Sequence, residues 1–203
     1  MELSAWAPCA QRLAGPDVGD AIELLRELRT VMEERYRELL ARGARKISRG
    51  DALALQVVAC DELAFYLTAE DRKQRAMFAE LLRDLVARGR AAGVIVLAAT
   101  QKPAADVVPS ALRDLFGFRL ALRCNTPQAS DTILGQGWAS AGYSAATIAP
   151  GHRGVGYLLA EDGLPVRMRG FHLTDPEIAR IAERASALRA DAWLAIDTLE
   201  RTP

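Results

Sequence analysis

Long apolar runs are missing from this sequence of 203 residues. None approaches the roughly 20 residues that span a bilayer, and no basic start followed by an apolar core marks a secretory signal. Cysteine is scarce. Cys9, Cys60 and Cys124 are odd in number and lack paired spacing. That fits reduced, buried thiols in a cytoplasmic protein better than disulfides or a zinc site. Membrane association would have to come through segments absent here. The two histidines, His152 and His172, lie far apart without ligand-like neighbours and read as structural or surface residues. Net charge is also missing, since 26 basic residues balance 26 acidic ones. A zero total does not support a protein that coats nucleic acid, but it leaves room for a local basic loop or pore.

What is present is helix-forming and apolar. Half the residues are hydrophobic, and Ala, Leu and Arg are abundant, which favours helix. The length suffices for one domain with a core. The stretch that organises the chain is residues 55–63, Leu-Gln-Val-Val-Ala-Cys-Asp-Glu-Leu. A short run rich in β-branched residues reads as a buried parallel strand. Its end carries Asp61 and Glu62, where open α/β sheets bind ligands. That is the arrangement of a Walker B strand. Read alone, the same acids are equally a helix start, because carboxylates favour a helix N-terminus.

Around it the pattern alternates. Residues 1–16 read as irregular. Asp17 to Asp20 offers N-cap candidates for a helix to about Arg42, with Ile22, Leu25, Met32, Tyr36 and Leu39 near one face. Thr68 with Asp71 suggests the cap of a charged helix whose stripe is Met77, Leu81, Leu82, Leu85 and Val86. Residues 94–99 form a second apolar strand ending in Thr100-Gln101-Lys102-Pro103. Strand, helix and strand in this order make a right-handed crossover in a parallel sheet. A short helix near 110–115, a strand at 118–123 and a helix at 127–134 follow. Asp162-Gly163 signals a hairpin between strands at 155–159 and 165–171. Thr174-Asp175-Pro176-Glu177 starts a last helix with a capping box.

These parts suit a nucleotide hydrolase. It needs a carboxylate for Mg²⁺, a base for water, a polar reporter of the γ-phosphate and an arginine for transition-state charge. The order Val57-Val58-Ala59-Cys60-Asp61-Glu62-Leu63-Ala64, Gly89-Arg90-Ala91-Ala92-Gly93-Val94 and Leu97-Ala98-Ala99-Thr100-Gln101-Lys102-Pro103 resembles the FtsK/SpoIIIE family of DNA-translocating motors. The similarity continues through Phe118-Arg119-Leu120-Ala121, Ser130-Asp131-Thr132-Ile133-Leu134-Gly135, Gly154-Val155-Gly156-Tyr157 and Pro165-Val166-Arg167-Met168-Arg169. Upstream, Met32-Glu33-Glu34-Arg35-Tyr36 is similar to the family helix before the Walker B strand. The Ala/Arg-rich style is nearest to actinobacterial plasmid-transfer and cell-division relatives.

The resemblance implies an α/β, RecA-like P-loop NTPase fold, present in part. It would be a mostly parallel sheet flanked by helices, with a C-terminal β-hairpin and helix. It implies a partial motor domain over residues 1–185 and a helical tail over 186–203. ATP and Mg²⁺ are the expected cofactors. Double-stranded DNA and a homo-oligomeric ring, a hexamer, are the expected partners. Asp61 would be the Mg²⁺-associated acid, Glu62 the base and Gln101, after Thr100, the γ-phosphate sensor. An arginine finger would come from Arg83, Arg88 or Arg90 on the intervening helix, or from Arg119 on the next strand. The family arginine on that helix falls at Asp84, which leaves the choice open. Lys102 and Arg113 are the candidates for DNA phosphates.

One family element is absent. The motif G-x-x-x-x-G-K-[ST] does not occur, since Lys46, Lys73 and Lys102 follow Arg45, Arg72 and Gln101. The first eight residues resemble the segment that follows a family Asp-Pro-Lys strand, which places the missing loop upstream in a longer frame. Without its amides and lysine nothing cradles the phosphates. The chain alone is then expected to bind ATP weakly or not at all. Residues 94–99 would also lose a strand neighbour and expose an apolar edge, favouring self-association or pairing with another chain. Two alternatives stay open: a catalytically inactive binding or assembly module, and another RecA-like NTPase such as a conjugative coupling protein.

Overall fold

In the computed structural model, which describes residues 2–51, 53–161 and 163–200, Asp17 caps the first helix by accepting from the Gly19 amide at 2.7 Å. For Glu2 and residues 191–200 the description is of the backbone alone. Asp162, half of the expected hairpin signal, and residues 201–203 of the expected tail lie outside the described residues. The chain divides into two compact units, residues 15–170 and residues 1–14 with 171–203.

In the larger unit, α1 (Val18–Ala41) packs against α3 (Arg72–Arg88). Met32 and Leu39 from α1, with Leu81, Leu82 and Leu85 from α3, are fully buried. Each such side chain contributes about 1.5–3 kcal/mol of transfer free energy. Phe78 rather than Met77 is the buried residue of the first turns of α3. The cap of α3 is Asp71 alone, which accepts from the Lys73 amide at 2.7 Å and the Gln74 amide at 3.1 Å. Thr68 instead closes the five-residue helix α2 (Leu63–Leu67), donating its hydroxyl to the Ala64 carbonyl at 2.8 Å.

Strands β1 (Gln56–Cys60) and β2 (Val94–Ala98) pair parallel and in step, from Gln56 opposite Val94 to Cys60 opposite Ala98. The ladder continues past both ends. Gln56 donates to the Gly93 carbonyl, Ala99 to Cys60 and Leu63 to Ala99, each at 2.8 Å. Among the described residues each strand has only the other as partner. One face of the pair stays open. Val57 and Leu97 are each 57% exposed, and Leu55 and Ile95 flank them at 61% and 37%.

After α4 (Ser110–Arg113), strand β3 (Arg119–Leu122) does not extend the parallel pair. It joins β4 (Val155–Leu159) and β5 (Val166–Arg169) in an antiparallel sheet of order β3-β4-β5. The reason lies in which face is apolar. Ala121 is fully buried against α5 (Pro127–Leu134), in a cluster with Leu134, Ala145 and Ile148. Leu120 and Leu122, on the opposite face, are half exposed. Gly156 sits under them, since a Cβ there would lie 2.8 Å from the Ala121 carbonyl oxygen and 3.0 Å from Leu120.

In the smaller unit, residues expected to be irregular form a 3-10 helix, Glu2–Cys9, packed on α6 (Asp175–Glu200). The Ala10 amide closes it onto the Trp6 carbonyl at 3.0 Å. The capping box of α6 forms: the Thr174 amide and hydroxyl donate to Glu177 at 2.8 and 2.7 Å. The helix is continuous, so the division after residue 185 falls inside it.

Candidate functional site

The parallel register brings the ends of β1 and β2 side by side, and with them the two sequence signals. Residue 61 follows Cys60, and residue 100 lies two beyond Ala98, the partner of Cys60. Across this gap the Thr100 hydroxyl donates to Glu62 Oε1 at 2.6 Å, and the Gln101 amide donates to Glu62 Oε2 at 3.1 Å. Glu62 also caps α2, accepting from the Ala64 amide at 3.1 Å. The carboxylate therefore takes three donors from two chain segments. Partial burial works to raise its pKa. The Thr100 hydroxyl, the Gln101 and Ala64 amides and the charge of Lys102 outweigh that and hold it below its ordinary value. The catalytic and capping readings of Glu62 thus describe one geometry rather than two.

Asp61 is different. Its side chain is exposed and makes no hydrogen bond among the described residues. It can offer one carboxylate oxygen to a cation, the share a protein commonly gives to a nucleotide-bound Mg²⁺. No group of three or more His, Cys, Asp or Glu suited to a metal occurs among the described residues. The residues present fit the metal's single carboxylate, and nothing among them forms a phosphate cradle. Bound ATP with Mg²⁺ would supply the phosphoryl group and the charge that polarises it. Cys60 packs beneath the acids. Burial, with Glu62 and Asp61 beside it, pushes its thiol up to about 11.

The remaining candidates are spread out. Gln101 is exposed and engages Glu62 through its amide. Lys102 is exposed, and its amide donates to the Thr100 hydroxyl at 3.1 Å. Arg83 is exposed on α3 without an ion pair among the described residues. Arg88 is tied to Asp84 at 2.5 Å and Glu33 at 3.6 Å and lies over the Tyr36 ring. Arg90 pairs with Glu161, and Arg119 pairs with Asp114 at 3.7 Å. Arg113 is half-buried and donates to the Thr132 carbonyl, joining α4 to α5.

Arg35 was not singled out as a site residue, although it fixes the opposite end of the parallel pair. Only 7% exposed, it donates to the carbonyls of Ala54 at 2.6 Å and Ala92 at 2.9 Å. Burial pulls its pKa down, and Glu38 opposes this. Gly93, at φ +70°, allows the approach, since a Cβ there would lie 3.3 Å from the guanidinium and 2.6 Å from Ile47. The signal was available. Arg35 lies three residues after Met32 and four before Leu39, on the apolar stripe rather than the charged face.

Set beside known proteins, the chain is similar to FtsK/SpoIIIE-type DNA translocases. It is 32% identical over 127 residues to the DNA translocase FtsK of Pseudomonas aeruginosa, covering 63% of this chain and 14% of that protein. It is 26% identical over 195 residues to the DNA translocase SftA of Bacillus subtilis, covering 90% of this chain and 19% of that one. The chain thus spans less than a fifth of the length of either relative. No family model matches it. Among solved structures, the pCW3 conjugation coupling protein TcpA, determined with ATPγS, superposes with a TM-score of 0.71 at 22% identity. That match covers 85% of this chain and 49% of the other. The cytoplasmic domain of the type VII secretion ATPase EccC of Thermomonospora curvata follows at 0.60 and 22%, covering 81% and 19%. The chain shares its fold with these two proteins, carried here as a parallel pair, an antiparallel sheet and flanking helices.

Proposed function

We propose that this chain is the Walker B and sensor part of an ATP-driven double-stranded DNA translocase. In this reading it works in a hexameric ring that hydrolyses ATP between subunits. The observation that carries the reading is the meeting of Asp61-Glu62 and Thr100-Gln101 at the ends of two parallel strands, 2.6 Å apart at Thr100 and Glu62. Such an end can hold a metal-bearing nucleotide through Asp61, orient water through Glu62 and sense the γ-phosphate through Gln101. The similarity to proteins described as DNA translocases supports DNA as the cargo.

The missing G-x-x-x-x-G-K-[ST] loop defines the test. The 203-residue chain alone is expected to show no ATP turnover. The same chain joined to an upstream P-loop segment turns over ATP and is stimulated by duplex DNA. Glu62→Gln then lowers kcat by about 10²–10⁴. An extended protein that hydrolyses ATP equally well with or without Glu62 sinks the proposal.

A second reading has its own support. Glu62 already accepts from three donors and serves as a cap, as expected of an inactive assembly module. On that reading the extended protein binds its partners and DNA with no turnover, and Glu62→Gln changes stability alone.

A further inference from the structure

A charged surface lies where α1 ends, before the start of β1 and so at the opposite end of that strand from the two acids. Gly43, at φ +64°, turns the chain out of the helix, and its amide donates to the Leu40 carbonyl at 3.0 Å. The loop that follows is tied down. The Ile47 amide donates to the Ala91 carbonyl at 2.9 Å, and the Asp51 amide donates to the Ser48 carbonyl at 3.1 Å. The Ser48 amide in turn donates to the Asp51 carboxylate at 2.5 Å. The side chains that point outward from this loop therefore stand on a fixed frame.

Residues 39–50 hold Arg42, Arg45, Lys46 and Arg49 and no acid. The flanking carboxylates, Glu38 and Asp51, are both engaged by Arg42, at 3.5 and 3.2 Å. Arg45, Lys46 and Arg49 are exposed and have no ion pair among the described residues. Their charge is uncompensated, although the whole chain is neutral. Cations after a helix C-terminus are ordinary, because the macrodipole favours them there. The macrodipole does not account for Leu40. On the last turn of α1, Leu40 is 80% exposed, the most exposed leucine among the described residues, while its neighbour Leu39 is fully buried. A projecting leucine beside an uncompensated cationic loop supplies the two parts that bind an anionic lipid surface: cations for the headgroups and an apolar tip for the acyl boundary.

We propose that this end of α1, with Leu40, Arg45, Lys46 and Arg49, docks on an anionic phospholipid bilayer. The three cations lie against the headgroups, drawn by the negative surface potential. Leu40 enters the boundary between headgroups and acyl chains. A nucleic-acid backbone offers the cations the same charge but leaves Leu40 in water, so the bilayer is the better match. One patch of this size holds the chain reversibly, since stable anchoring takes a second signal. The attraction falls away within a Debye length, so binding weakens as salt rises. Membrane contact then need not come from segments outside these 203 residues. The contact stands whether or not the chain takes part in ATP turnover.

The test is flotation of the 203-residue chain with vesicles of phosphatidylglycerol and phosphatidylcholine in equal parts, and with vesicles of phosphatidylcholine alone. Flotation separates bound protein from self-associated protein, which stays at the bottom. The parent is expected to float with the anionic vesicles at about 0.1 M salt and to be released by about 1 M. Arg45→Ala/Lys46→Ala/Arg49→Ala lowers the partition constant about 10²-fold, and Leu40→Ser lowers it about tenfold, both with an unchanged thermal midpoint. Arg45→Lys/Arg49→Lys keeps the binding, and Arg167→Ala/Arg169→Ala, exposed cations elsewhere, leaves it intact. Three results overturn the proposal: a parent that does not float, equal flotation with phosphatidylcholine alone, or either the triple variant or Leu40→Ser floating like the parent. A parent that binds a mixed-sequence duplex through these three cations, with the anionic vesicles left bare, assigns the loop to nucleic acid and overturns it too.

Discussion

The two sheets of the larger unit use charge in opposite ways. In the parallel pair, Arg35 at one end and Glu62 at the other are each tied to several backbone or hydroxyl groups. Both act as rivets between segments distant in sequence. In the antiparallel sheet the arginines of β5 have no ion pair among the described residues and lie exposed. A buried charge with satisfied hydrogen bonds is costly to remove, whereas an exposed one is worth little to stability. The comparison teaches that the first set of charges is structural. The second contributes little to stability.

The largest effect that would break this contrast is at Arg35. Arg35→Met leaves the Ala54 and Ala92 carbonyls without their donor, and a loss of about 3 kcal/mol is expected in denaturant unfolding. An unchanged midpoint would show that the rivet is idle. Next comes Thr100→Val, expected to cost about 1 kcal/mol near neutral pH. Its pH dependence follows from the sign of the Glu62 shift. Glu62 has a folded pKa below its ordinary 4.5, so its contribution is complete above that value. It is lost as pH falls through the lowered folded value. The difference between the parent and Thr100→Val therefore closes in acid. A difference that persists at low pH would place the effect of Thr100 elsewhere.

Smaller still, Val57→Thr/Leu97→Thr on the open face of the parallel pair should move stability by less than about 0.5 kcal/mol. It should reduce self-association seen by light scattering, because a contiguous exposed apolar face is an association site. A parent that stays monomeric at high concentration removes that role from the face. Least of all, Arg167→Ala/Arg169→Ala is expected to leave the unfolding midpoint where it is. A marked drop would make these arginines structural as well and erase the contrast.

Much of this was legible in the residues. The apolar run 55–60 with its acids, and the run 94–98 with Thr100-Gln101 after it, specified a parallel pair with the two signals at the same end. The capping chemistry at Asp17 and at Thr174 with Glu177 was equally plain. Other features were hidden for physical reasons. The pairing of β3 with the hairpin was not readable because its buried face is carried by Ala121 while Leu120 and Leu122 face outward. Phe78 and Met77 are neighbours, so either could have led the stripe of α3. The 3-10 helix at Glu2–Cys9 is stabilised by packing on α6, which no local pattern encodes. The Walker B and helix-start readings of Asp61-Glu62 could not be separated in the residues, because Glu62 caps α2 and also meets Thr100 at the strand ends.

Arg35 has a consequence for the order of events in folding. Its bonds to Ala54 and Ala92 join positions 19 and 57 residues away, and they can close only after α1, α3 and both strands have met. Contacts of such separation form late, once the entropy of loop closure has been met. An interaction absent from the transition state governs the rate of unfolding and leaves the rate of folding nearly untouched. Arg35 is then a latch on the exit from the native state. It sets how long the two acids remain aligned with β2, while the speed with which they first come together is decided by the helices.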